Sequence, residues 1–229
     1  MKVIITSGGT SESIDSVRAI TNHSTGNLGK TLAEYFLEKG DQVTLVTTNR
    51  AVKPRIHPNL EIEIIESVSE LEACLADIVP HHDALIHAMA VSDYRPVYMT
   101  DLAELSKTDN IADLLTKRNQ ESKISSQAET QVLFLEKTPK IISKIKVWNP
   151  SIRLIGFKLL VDVLPEELIR VARESLVKNQ ADLIVANDLL EVTPAGHRAW
   201  LVRENSQESV DGRIEIAQKL YEEIHKEKL

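Results

Sequence analysis

Short β-branched runs alternate with segments of helical period along most of this chain, and the first of them stops at a glycine turn. Val3-Ile4-Ile5-Thr6 ends at Gly8-Gly9; Val43 to Thr47, Glu61 to Ile65 and Asp83 to Ala88 read as the second, third and fourth strands. Between them, Leu28, Leu32, Ala33, Phe36 and Leu37 share one helical face with Gly40 as its stop, and Leu71, Leu75 and Ile78 mark the next helix. Apolar runs, as opposed to alternating ones, mark strands buried on both faces. Strand–helix alternation of this kind closes into a parallel sheet covered by helices.

The second half continues the pattern with one interruption. Leu154 to Phe157 and Asp182 to Ala186 read as buried strands and Trp200-Leu201-Val202 as an edge strand. Pro165 opens a helix carrying Leu168, Val171, Ala172 and Leu176, and Asp211 is expected to cap a terminal helix. Residues 97–128 are polar instead, with weak helical periods around Ile111, Leu114 and Leu115, and are followed by a strand-like Glu129 to Glu136. Thr138-Pro139 then reads as a helix start, with Thr as cap and Pro in the first turn. The expectation is α/β: one Rossmann-like, doubly wound, mostly parallel sheet over residues 1–229, with a flap or dimerisation excursion at about 97–136.

Composition narrows the function. The balance of 27 Lys and Arg against 34 Asp and Glu gives a net charge of −7, which argues against duplex DNA or an anionic membrane as partner. A single cysteine, Cys74, excludes an internal disulfide framework and a multi-cysteine zinc site. The opening apolar stretch is too short for a signal-peptide core, and no run approaches the roughly 20 apolar residues of a membrane span. A cytoplasmic location is expected.

Three places offer chemistry. A dinucleotide fingerprint joins the first strand directly to its helix through Gly-x-Gly-x-x-Gly; here Gly8-Gly9 is separated from Gly26 and Gly29 by a long loop, and Thr47-Thr48-Asn49 stands where a ribose-binding carboxylate belongs. That loop closes on Asn22-His23-Ser24-Thr25-Gly26, which places hydroxyls and free N–H groups at the positive end of a helix, either as an anion site or as an ordinary cap. After the fourth strand, Ala88-Met89-Ala90-Val91-Ser92-Asp93 brings small residues and then a carboxylate to the sheet edge, as a ligand site or as a plain turn. Asn187-Asp188 ends a later strand at the same edge. None of the seven histidines falls in a zinc pattern.

Taken together, Ile5-Thr6-Ser7-Gly8-Gly9-Thr10, Ile14-Asp15-Ser16-Val17-Arg18, Ile20 to Gly29, Ala90 to Pro96, Lys123-Ile124, Thr138 to Ile141, Gly156-Phe157-Lys158 and Asp182 to Asp188 resemble phosphopantothenoylcysteine synthetase (phosphopantothenate–cysteine ligase) of coenzyme A biosynthesis. The segments follow the family's order over most of the chain, which starts at the ligase's first strand and so resembles the stand-alone bacterial form. The resemblance implies that CTP (ATP is the possible substitute), with Mg2+, activates 4′-phosphopantothenate as an acyl-cytidylate, and that L-cysteine then displaces CMP. It also implies a homodimer.

Residue by residue, the resemblance makes Asn22 catalytic, in turnover of the acyl-nucleotide. It assigns Gly8, Gly9, Thr10, Ser24, Thr25 and Gly26 to the substrate. It assigns His87, Ala88, Met89, Asp93, Lys123, Glu136, Lys137, Thr138, Pro139, Phe157 and Lys178 to the nucleotide, and leaves the metal ligands unknown. The chain departs from the family at Lys123-Ile124-Ser125-Ser126, where two flap lysines are missing, and at Gly156 to Val161, which lacks a carboxylate. Two other functions fit an α/β chain. An NAD(P)-dependent reductase is disfavoured by the broken fingerprint; a non-catalytic nucleotide-binding module would bind CTP without releasing pyrophosphate.

Overall fold

The computed structural model describes residues 1–119, 122–193 and 196–226. In chain order, β1 (Lys2–Thr6) leads to a small hairpin of β2 (Ser11–Ser13) and β3 (Ala19–Thr21), then to α1 (Asn27–Glu38), β4 (Gln42–Thr47), β5 (Leu60–Ile64), α2 (Val68–Ile78) and β6 (Ala84–His87). An arm follows, made of β7 (Tyr94–Asp101), the short α3 (Leu102–Ser106) and β8 (Gln131–Lys137). The chain returns through α4 (Ile142–Trp148), β9 (Arg153–Leu160), α5 (Pro165–Asn179), β10 (Leu183–Asp188), β11 (Arg198–Val202), β12 (Gln207–Asp211) and α6 (Arg213–His225).

The main sheet runs β12-β11-β10-β9-β6-β1-β4-β5. The six strands from β10 to β5 are parallel, and β11 and β12 are added antiparallel at one edge. Alternate residues of each strand feed opposite layers. Val3, Ile5, Leu45 and Ile86 pack with Leu32 and Phe36 of α1 and Leu220 of α6. Ile4, Val46 and Leu85 pack with Leu71 and Leu75 of α2, Ile145 of α4 and Leu168 of α5. This two-sided burial is why the strands read as continuous apolar runs; each such fully buried side chain stabilises the fold by roughly 2 kcal/mol. Order reverses between β1 and β6, because the α1 connection leads outward to β4 while the α2 connection returns across β1 to β6. Ligands of open α/β sheets bind beyond the carboxyl ends of strands at such a reversal.

Three local expectations are corrected. Trp200 to Val202 is not an edge: β11 lies between β10 and β12, and β12 escapes a pattern search because Val210 is its single buried residue. Asp211 does not cap α6; it ends β12, its Oδ1 accepts the His197 N–H, and Gly212 at φ 94° turns the chain into the helix. Thr138 does not cap a helix either. Its N–H donates to Asp93 O (3.0 Å) and its hydroxyl to Ser92 O (2.5 Å), so it fastens the foot of the arm, and α4 begins four residues later. The arm is a two-stranded sheet of its own, paired from Tyr94 opposite Lys137 to Asp101 opposite Gln131, and it starts three residues before the expected excursion.

Candidate active site

Beyond β1 and β6 the two chains continue side by side: Ala90 N donates to Gly8 O (2.9 Å) and Thr10 N to Ala90 O (3.0 Å). Thr10 and Ser92 lock this extension, with the Thr10 hydroxyl donating to Ser92 Oγ (3.0 Å) and accepting from Ser92 N (2.8 Å). The β2–β3 hairpin then folds back over it, its foot held by Asn22 N to Thr10 O (3.3 Å) and Thr21 Oγ1 to Thr10 O (3.2 Å). Gly9 permits this closure: a Cβ there would stand 2.3 Å from the Asn22 carbonyl oxygen. Glu12, on β2, is buried and accepts the Val68 N–H (2.8 Å) at the start of α2. Burial raises its pKa against the lowering by that N–H, so the carboxylate ties hairpin to helix.

The chain enters α1 through Ser24-Thr25-Gly26. Gly26, at φ 78°, is the N-cap, and no side chain caps the helix. The Thr25 hydroxyl accepts only a long 3.4 Å bond from Asn27 N, with the Asn27 side-chain amide at 3.0 Å. An α-helix begins with four N–H groups that lack intrahelical partners and about half a positive charge. Ser24 and Thr25 are exposed, and no acidic residue occupies the first turn. The simple capping reading of Ser24 and Thr25 therefore fails, and the arrangement is competent to hold an anion.

The fourth-strand end is more committed internally. His87 is buried; its Nδ1 meets the Thr6 hydroxyl at 2.9 Å, and burial pulls its pKa down to about 4, so the ring is neutral near neutral pH. Met89 gives its side chain to the core and its N–H to Thr6 Oγ1 (3.1 Å), which removes that amide from ligand reading. Ala88 and Phe157 are only partly buried and pack on the same side of the sheet as Leu28 of α1. The pairing of His87 with Gly156 puts Phe157 one residue further along the sheet edge. Asp93 is exposed and ion-paired with Lys140, and Glu136 pairs with Arg95 (2.9 Å) across the arm. Lys137, Thr138 and Pro139 follow at the arm's foot, where Thr138 is buried and the other two are exposed.

The backbone on either side of Lys123 is bonded to the hairpin tip: Ser122 O accepts from Ser16 N (3.0 Å) and Ile124 N donates to Asp15 (3.1 Å). Lys178 lies away from the strand ends that carry these residues. It lies in the last turn of α5, which runs from the carboxyl end of β9 back to the amino end of β10, so it sits at the opposite edge of the sheet. Asp188, at the site edge, is spent as an anchor: N–H groups of Val163, Leu190 and Asp162 lower its pKa. Cys74 is no nucleophile here, since burial, then Glu63 and Asp77, push its thiol up to about 11. Among the described residues no three His, Cys, Asp or Glu side chains gather as a metal site, and no helix is long and apolar enough to cross a membrane.

The sequence gives no role to Thr6 or Lys140 here, and for Ser92 it offers only membership of the small-residue stretch after the fourth strand. Thr6 and Ser92 are buried polar residues whose partners lie more than eighty residues away, a relation invisible in local pattern. Lys140 lies 47 residues from Asp93, and only the fold sets the two side by side.

The chain matches the model of a family described as DNA/pantothenate metabolism flavoprotein, C-terminal domain, over residues 1–110 and 104–227. It is 33% identical over 228 residues to a Thermococcus kodakarensis protein named coenzyme A biosynthesis bifunctional protein CoaBC, covering 98% of this chain and 51% of that one. This chain thus spans about half the length of the curated relatives it matches. Among solved structures it is similar to the DNA/pantothenate metabolism flavoprotein from Streptococcus pneumoniae, with TM-score 0.94, 55% identity and 98% of both chains covered. The C-terminal domain of a CoaBC protein shares the fold at TM-score 0.71 and 24% identity, over 97% of this chain and 93% of that one.

Proposed function

This chain belongs to the family of DNA/pantothenate metabolism flavoprotein C-terminal domains, and on that premise we propose that it is a phosphopantothenate–cysteine ligase acting in coenzyme A biosynthesis. The carboxylate oxygen of 4′-phosphopantothenate attacks the α-phosphorus of CTP, and pyrophosphate leaves. The amine of L-cysteine then attacks the acyl carbon of the acyl-cytidylate, CMP leaves with the anhydride oxygen, and the amine proton passes to solvent. Neither half needs a protein nucleophile. Alignment and charge neutralisation carry the barrier, which suits a site whose buried histidine is neutral.

The observation that carries the reading is the uncapped start of α1 beside Asn22 at the strand-order reversal. The Ser24-Thr25-Gly26 turn takes the phosphate of phosphopantothenate on free N–H groups and hydroxyls. Asn22, whose backbone is pinned to Thr10 O, presents its side chain to the acyl group. Ala88, Phe157 and the Thr138-Pro139 foot of the arm border the nucleotide base, and Lys123 and the Asp93–Lys140 pair meet its phosphates. Mg2+ fits as a cation carried on those phosphates with most of its water, since the described side chains supply no cluster of their own.

The same reading makes the protein a homodimer, with exposed Leu135 on the arm, exposed Leu159 near the end of β9 and exposed Val161 just after it as its apolar contact surface. The test is pyrophosphate release from CTP and Mg2+ with 4′-phosphopantothenate, with and without cysteine. Release that turns over only when cysteine is present, with CMP as co-product, is expected. Stoichiometric CTP binding with no release in either case would leave a nucleotide-binding module instead, and a nicotinamide-dependent absorbance change would revive the reductase.

A further inference from the structure

The hairpin tip and the segment around Lys123 are joined by a set of hydrogen bonds centred on Asp15 and Arg18. Asp15 has a buried side chain, 1% exposed. Its Oδ1 accepts the N–H groups of Val17 (2.9 Å) and Arg18 (2.8 Å), which closes the tip. Its Oδ2 accepts Arg18 Nε (3.0 Å) and Nη2 (2.5 Å) and, from more than a hundred residues away, Ile124 N (3.1 Å). Arg18 Nη2 also donates to Ile124 O (2.8 Å), and Ser16 N to Ser122 O (3.0 Å). Ile124 itself is buried. The residues on both sides of Lys123 are thereby fixed to the hairpin, while the lysine between them is exposed. A cavity of about 180 Å³ lies where tip and arm meet, lined by Ser13, Ile14, Tyr98, Met99, Arg118 and Asn119 among others.

From this geometry we propose that Asp15 and Arg18 are positioning residues: they seat the backbone on either side of Lys123 on the same hairpin whose foot carries Asn22, so that nucleotide activation and acyl transfer share one frame. The proposal rests on the ligase reading above. Three residues per strand at about 3.4 Å each place the tip roughly 10 Å from the foot. Lysine and asparagine therefore address different parts of the bound pair, and their spacing has to be held by the hairpin. The guanidinium and the backbone N–H groups around Asp15 keep its carboxyl well below the usual carboxylate range, so the seat stays charged at any pH at which the enzyme works.

The test is a double-mutant cycle on the full chain with Asp15→Ala, Lys123→Gln and both, read as the nucleotide KM in pyrophosphate release, with melting curves and amide exchange at Ile124. Asp15→Ala is expected to speed Ile124 exchange and to raise the nucleotide KM roughly tenfold, the size of a lost charged hydrogen bond. In the double variant the KM is expected to equal that of Lys123→Gln alone, because the seat has nothing left to position. If Asp15→Ala does not fold, Asp15→Asn, which keeps one acceptor and loses the ion pair, takes its place in the cycle. Multiplying effects, or faster Ile124 exchange with an unchanged KM, would overturn the proposal while the ligase stands. A wild-type chain that releases no pyrophosphate from CTP or ATP would overturn the ligase reading and the proposal with it.

Discussion

Asn22 and His87 show how differently two residues at one sheet edge are used. Asn22 is partly exposed, and only its backbone is committed to the hairpin foot. Asn22→Asp is expected to permit about one equivalent of pyrophosphate per site and then stall, because activation proceeds while amide formation fails; single-turnover quench would show this, and loss of both steps together would remove the residue from acyl transfer. His87 is buried on Thr6 and uncharged, with its pKa drawn down to about 4 by burial. The unfolded chain takes up that proton near pH 6.5 but the folded chain only near 4, so the contribution is complete above about 6.5 and is lost as pH falls toward 4. It amounts to roughly 3 kcal/mol at most. Buried His197, also held below its usual range, adds in the same direction. His87→Asn, which keeps a partner for Thr6, is expected to flatten the fall in melting temperature between pH 6.5 and 4; an unchanged slope would mean that the ring is not buried neutral.

The elements were legible wherever a buried face repeats, and illegible where polar bonds decide. The first helix was read to within a residue because Leu32, Ala33, Phe36 and Leu37 form one buried stripe and Gly40 stops it at φ 91°. Whether its first turn is capped is not legible there, since the Ser-Thr-Gly string fits a cap equally well and only the geometry leaves that turn open. Thr138 misled for a related reason: a Thr-Pro pair signals a helix start, yet the Thr138 hydroxyl and N–H are taken by Ser92 and Asp93 across the arm's foot. Thr138→Val keeps the shape and leaves the buried Ser92 carbonyl short of a donor, so a loss of about 1–2 kcal/mol in urea unfolding is expected. A loss within error would mean that water replaces the hydroxyl.

At the scale of the whole molecule, exposed Leu135, Leu159 and Val161 are the surface on which the proposed dimer depends. Sedimentation of the wild-type chain as a dimer and of Leu135→Glu/Val161→Glu as a folded monomer is the expected result; a monomeric wild type would refute the assembly. By itself, the order of apolar runs and helical stripes determined a parallel sheet buried on both faces, with polar residues looping out in the middle, because burial periodicity is written in neighbouring residues. The long glycine-flanked loop, with its Asn-His-Ser-Thr-Gly close, likewise announced that the first strand does not meet its helix as in a dinucleotide fold. Tertiary structure alone decided which groups remain free. It spent the Met89 N–H and the His87 ring on Thr6, sent Lys178 to the far edge, placed Lys140 on Asp93, and bonded the backbone around Lys123 to Asp15 and Arg18. Apart from Lys178, which the direction of α5 places, those outcomes depend on hydrogen bonds between residues tens to more than a hundred positions apart, and such pairings leave no period in the sequence.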